Sequence, residues 1–380
     1  GAFKSFGKKK WLSFGGWINA VIPVLIVPYY SVIGGWVIKY LVEYFRGNAK
    51  QLAEDGYFTD FISNGVSTEL CFMAFCAFTL IIIFAGVQNG IERVSKIMMP
   101  ILIVLSVIIA VYSVTRPGAL AGVKYFLVPN VKNFSWMTVV SAMGQMFYSL
   151  SIAMGILITF GSYMKKDTAI EDSTRNVEVF DTGIAIMAGL MIIPAVFAFS
   201  GGDPDTLQAG PSLMFITIPK VFQNMGFGTV IGIVFFLLVL FAAVTSSIAL
   251  TESAVSTFED ELGWGRKKAT VLVGVIMLAL GSLSSLGYGP LAGIKIIGMQ
   301  FLDLFDFLTN SVMMPIAALL TSLLVSRVVG IDKIEEEIIH GESAFRRKKV
   351  FVVMIKYLCP VFAIIILLSS VANALGWIKM

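Results

Sequence analysis

Three oxygen donors share one turn in FAAVTSSIAL. The Ala242 carbonyl and the Thr245 and Ser246 hydroxyls fall at i, i+3 and i+4, positions on one helix face. Hard cations take oxygen ligands, so this face suits a small cation. A small-residue packing face is the alternative use of the same pattern. A second polar cluster interrupts the apolar run MGQMFYSLSIAMGILITFGSYM, where Gln145, Tyr148, Ser149, Ser151 and Gly155 occur together. Ser and Gly keep a helix closed less well than Leu, and a break is expected near Ser151 to Gly155. It would free backbone carbonyls and N–H groups at mid-membrane, where broken helices hold an ion and a small polar molecule. Close helix packing with Ser-to-backbone bonds is the alternative.

Ionisable residues inside hydrocarbon are costly and point to function. Asp181 stands about one turn inside the apolar run of NVEVFDTGIAIMAGLMIIP, where a carboxylate needs a cation, a partner or a proton. An interfacial Asp reaching headgroups is the other reading. Asp303 and Asp306 lie three apart in FLDLFDFLTN, as half of an ion-pair gate or as a solvated rim. In PYYSVIGGW, Tyr30 offers a hydroxyl beside small glycines. It is too far from Trp11 and Tyr44 to belong to an interfacial aromatic belt.

The elements that carry these residues are apolar and long. Of 380 residues, 57% are hydrophobic and 14% charged, against roughly 25% charged in an ordinary soluble domain. Mean hydropathy is +0.87. That excludes a soluble enzyme, a nucleic-acid reader and a disordered chain. Unbroken apolar runs also exclude a membrane β-barrel, whose strands alternate. The expected fold is an all-α membrane protein with nine transmembrane helices, at about 12–42, 67–86, 97–114, 137–161, 180–199, 227–257, 269–286, 298–326 and 350–372 by the roughly 20-residue rule. Loops at alternate ends collect Lys and Arg, including Lys8 to Lys10, Arg93, Lys165, Arg266 and Arg346 to Lys349. That places the Gly1 end in the cytoplasm and the Met380 end outside, in a multi-pass protein of the cell membrane. Outside loops are expected at 43–66, 115–136 and 200–226, the last with the turn cluster GGDPDTLQAGP. Cys71, Cys76 and Cys359 sit in apolar runs and read as structural thiols. His340, the single histidine, reads as a solvated loop residue. One membrane domain over 1–380 is expected, with the lipid bilayer as a partner, a homodimer as an open alternative and no nucleic acid.

The phrases VPYYSVIGGW, GVQNGIERVSKIMMP, GQMFYSLSIAMGILITFGSYMKKD, PKVFQNMGFG, FAAVTSSIAL, FEDELGW and FLDLFDF together resemble the neurotransmitter:sodium symporter family, in its bacterial amino-acid branch. They occur in the family's order and span almost the whole chain. The resemblance implies a five-plus-five inverted-repeat fold and sodium-coupled uptake of an amino acid by alternating access, with the nine spans as helices 3 to 11. It implies that Tyr30 meets the substrate carboxylate and that Tyr148 is an aromatic lid. Ser149 and Ser151 become broken-helix residues, Ser149 beside one sodium. Ala242, Thr245 and Ser246 become a second sodium site, with Ser246 also at the substrate. Asp306 and Gln145 fall at the outer gate, and Tyr163 and Asp260 at the inner one. Ile26, Ile33, Met154, Ser247 and Leu250 would wall the side-chain pocket, and an apolar wall suits an apolar or aromatic amino acid. Either Asp181 or Asn176 is the sodium-site residue of its helix. With Asp181 in that role no chloride is expected.

The resemblance begins at the basic loop after the family's second helix. The chain is therefore expected to be N-terminally incomplete, without the helix that supplies further sodium ligands and a gate arginine, and both sodium sites would then be incomplete. A non-transporting truncated or regulatory membrane protein, or an ion channel, is the competing function. An intramembrane enzyme is not expected: the sole His lies in a loop, and Asp303 and Asp306 share one helix.

Overall fold

The computed structural model describes residues 2–7, 10–203, 207, 210–374 and 377. Gly1 and Met380, and Pro204 to Thr206, Gln208 and Ala209 of GGDPDTLQAGP, lie outside the described residues. Eight described helices are long and apolar enough to cross a membrane. They are α1 (Lys10–Phe45), α2 (Gly65–Phe84), α3 (Val87–Val114), α6 (Ile170–Ser200), α7 (Gly228–Leu262), α8 (Arg266–Leu286), α9 (Phe301–Val329) and α10 (Lys348–Ala374). The expected span at 137–161 is not one helix. It is divided into α4 (Trp136–Ser149) and α5 (Ile156–Ser162), with non-helical backbone between them.

The long spans are helices because, in hydrocarbon, every backbone polar group must be paired within the segment. The centre of the molecule is α1, which packs on α7, α2, α8 and α9. Ile22, Ile26, Tyr29, Val32, Tyr40 and Tyr44 on it are buried, as an all-round apolar helix allows. Its Gly35 permits the approach of α2: a Cβ there would fall 2.7 Å from the Phe72 backbone nitrogen. By contrast, α10 presents Val353, Tyr357, Val361, Ile365 and Leu368 outward, the face that lipid would cover.

Hydropathy locates the apolar centre of each span and misses its polar helical ends. The third span was expected from 97, yet α3 starts at Val87 through a π-helical turn. Glu92 and Lys96 pair at 2.6 Å, and such an i,i+4 pair lets a helix run on past its apolar stretch. Likewise α6 starts at Ile170, ten residues before the expected 180. The expected outside loops contain short helices, Tyr57–Ser63, Ala119–Leu127 and Ile218–Gln223. His340 is exposed, but on the amphipathic helix Ile331–Gly341 rather than in a loop.

Candidate functional site

The site is organised by the gap between α4 and α5. Three of its backbone angles are left-handed, at Ser151 (φ 53), Ala153 (φ 61) and Gly155 (φ 76). A left-handed residue other than Gly costs about 1–2 kcal/mol, so neighbouring contacts must hold it. The Ile152 N–H donates to the Phe147 carbonyl at 2.9 Å and the Ser151 N–H to the Tyr148 carbonyl at 3.1 Å. Met154 and Ile156 are buried. At Gly155 a Cβ would sit 2.8 Å from the Asn19 carbonyl of α1 and 3.2 Å from the Ser253 hydroxyl of α7. The gap is thus wedged between α1 and α7.

Two groups that the sequence places far apart meet at the end of α4. The Ser149 hydroxyl donates to the Asp181 carboxylate of α6 at 2.6 Å. Asn176, the other candidate on α6, is exposed. On α7 the Thr245 hydroxyl donates to the Phe241 and Ala242 carbonyls, both at 3.0 Å, and its lone pairs stay available to a cation. Ser246 is exposed and lies beside the Tyr30 hydroxyl. Ser247 is buried and faces α2, its hydroxyl 3.2 Å from that of Thr79. Tyr148 lies near both Tyr30 and Asp306. Ile26, Met154 and Leu250 belong to one buried apolar cluster, with Tyr30, Ile33 and Tyr148 packed against it.

At one end of the site Asp306 and Gln145 are exposed. Asn310 donates to Asp306 at 2.6 Å and to the Tyr29 hydroxyl at 3.4 Å, and Tyr29 meets Thr309 at 3.3 Å. Asp303 accepts from the Tyr288 hydroxyl at 3.1 Å. Sequence reasoning passed over Tyr29 and Asn310. The spacing of Asn310, four after Asp306, was the one available signal.

At the other end Tyr163 and Asp260 do not pair. The Tyr163 hydroxyl donates instead to Glu252 at 2.8 Å. Burial first, and then that carboxylate, push the Tyr163 hydroxyl above the ordinary phenol range, so it stays a donor. Glu252 is fully buried on α7 and is held from both sides by Arg266, at 3.0 and 2.5 Å. Arg266 also donates to the Ile83 carbonyl at 3.1 Å. Glu252 was missed, though a lone Glu in the hydroxyl-rich run IALTESAVS was a visible signal. Asp260 is exposed and, with Asn19, Thr159 and Ser253, lines a cavity of about 610 Å³ below Gly155.

The arrangement is a set of hydroxyls, one carbonyl and one carboxylate around interrupted backbone, suited to hard monovalent cations and a small polar molecule. Comparison with known proteins agrees. The sequence matches the model of the sodium:neurotransmitter symporter family over residues 43–377. It is 34% identical to YhdH, an uncharacterised sodium-dependent transporter of Bacillus subtilis, over 94% of this chain and 79% of that one. An uncharacterised sodium-dependent transporter of Haemophilus influenzae is 30% identical, over 97% of this chain and 81% of its own. The crystal structure of MhsT in complex with L-phenylalanine matches with a TM-score of 0.84 and 32% identity, covering 97% of this chain and 84% of MhsT. The chain therefore belongs to the sodium:neurotransmitter symporter family, as a multi-pass, sodium-coupled membrane transporter and not an enzyme.

Proposed function

We propose that the protein takes up an apolar or aromatic amino acid with sodium. The observation that carries this reading is the gap between α4 and α5, closed on by Tyr30, Tyr148, Ser149, Asp181 and Ser246. Tyr30 donates to the substrate carboxylate, Tyr148 covers it, and Ser151 lies in the interrupted backbone beside it. Ile26, Ile33, Met154 and Leu250 receive the side chain. An apolar wall with few polar groups selects for apolar ligands, and MhsT, of the same fold, has been crystallised with L-phenylalanine.

Two sodium sites fit the donors. One uses the Ala242 carbonyl with the Thr245 and Ser246 hydroxyls. The other uses Ser149 and Asp181, whose contact at 2.6 Å favours Asp181 over Asn176. Asp306 belongs to the outer gate, and Tyr163 to the inner one through Glu252. The basic loops support a cytoplasmic start for α1. The test is uptake of labelled phenylalanine and leucine into proteoliposomes with an inward sodium gradient, for the parent and for Thr245→Val with Ser246→Ala. The parent should accumulate substrate only with sodium. The double variant should need more sodium or fail to transport. Unchanged sodium dependence in the variant would overturn the site.

A further inference from the structure

Thr79 is the only hydroxyl residue between Leu70 and Phe84 of α2. It is fully buried, as is Ser247 of α7, and the two hydroxyls lie 3.2 Å apart. A hydroxyl shut in hydrocarbon has no water to bond, so each needs the other as its partner. The seam around the pair is apolar. Phe75 and Ile83 of α2 join Val244 and Ile248 of α7 in one buried cluster. On its other side α2 is firmly seated. Phe75, one turn before Thr79, closes on α1 so tightly that a Cβ at Gly34 would fall 2.5 Å from its ring. Within α7, the Thr251 hydroxyl donates to the Ser247 carbonyl at 2.7 Å.

Ser247 directly follows the proposed sodium donors Thr245 and Ser246 in the chain. On an α-helix it stands about 160° around the axis from Thr245 and about 100° from Ser246. The hydroxyl pair therefore pegs α7 from behind the donors. Apolar contacts alone would let α7 turn slightly at little cost, because their attraction is spread over many weak pairs of atoms. A hydroxyl pair resists such a turn, because parting it strands two buried polar groups. We infer that Thr79 is a positioning residue for transport: its bond to Ser247 fixes the rotation of α7 that presents the Ala242 carbonyl and the Thr245 and Ser246 hydroxyls, a role that rests on the sodium site proposed above.

The test measures the sodium concentration that half-saturates uptake of labelled phenylalanine or leucine into proteoliposomes, beside the thermal midpoint of each variant. Thr79→Val keeps the branched shape and removes the hydroxyl, so half-saturating sodium should rise several-fold. Thr79→Ser keeps the hydroxyl and should stay at the parental value. Ser247→Ala should match Thr79→Val, and it carries the test if Thr79→Val does not fold. Combining Thr79→Val with Ser247→Ala should shift sodium no further than either change alone, because one bond is lost in each case. Ile248→Val removes one methyl from the same seam and should lower the midpoint while leaving half-saturating sodium unchanged. A Thr79→Val protein with a lower midpoint and parental sodium dependence would overturn the role, leaving Thr79 a packing residue. So would a Thr79→Ser protein as impaired as Thr79→Val, shifts that multiply in the double variant, or an Ile248→Val shift as large as that of Thr79→Val. Thr245→Val with Ser246→Ala, measured alongside, separates the two levels. If that variant keeps parental sodium dependence, the sodium site itself falls and the role of Thr79 with it. If it loses sodium dependence while Thr79→Val keeps it, the role of Thr79 alone falls.

Discussion

At Tyr30 a single oxygen is the variable. Its hydroxyl lies beside Ser246, at the gap in the broken helix. Tyr30→Phe keeps the ring and removes one hydrogen bond to a charged group, worth about 1.5–3 kcal/mol. Substrate affinity should fall roughly tenfold to a hundredfold, measured as equilibrium binding of labelled amino acid. Parental affinity would remove Tyr30 from the substrate. Arg266 makes a different kind of prediction. Glu252 is fully buried and Arg266 supplies its charge partner. Arg266→Ala leaves that carboxylate uncompensated, which costs about 3–5 kcal/mol, whereas Tyr163→Phe removes one donor to a charged group, worth about 1.5–3 kcal/mol. Thermal unfolding of the two variants should rank them in that order. Equal midpoints would mean that Glu252 does not depend on Arg266.

The broken helix is decided at Gly155, the element-scale counterpart of these residues. A side chain there meets two penalties: a left-handed backbone and the Asn19 carbonyl at 2.8 Å. Gly155→Ala should cost about 1–2 kcal/mol for the backbone alone and displace α5 from α1. A lower thermal midpoint together with lost sodium-driven uptake is the expected result, and a stable, fully active variant would contradict it. Much of this element was legible beforehand. Ser and Gly inside an otherwise apolar run mark where a helix is weak, and the gap falls at Leu150 to Gly155, near the expected Ser151 to Gly155. Helix ends were less legible, because α3 and α6 continue through charged turns that hydropathy reads as loop. Contacts across helices were least legible. Spacing within one segment shows which residues share a face, but the packing of α1, α7 and α9 decides that Tyr29 meets Asn310 and that Tyr163 meets Glu252 rather than Asp260. Family likeness put Ser149 and either Asp181 or Asn176 at sodium, but the contact of Ser149 with Asp181 was not legible from periodicity.

Over the whole molecule the question is charge. A sodium ion deep in the membrane is unfavourable unless a negative charge lies close. Of the sodium donors proposed above, Asp181 is the one that carries charge, and it accepts from Ser149 at 2.6 Å. A fixed carboxylate there makes a mobile anion redundant, so transport should not need chloride. In vesicles with chloride replaced by gluconate, the parent should transport as before and Asp181→Ser should become chloride-dependent. A parent that stops without chloride would show that Asp181 is not the counter-charge.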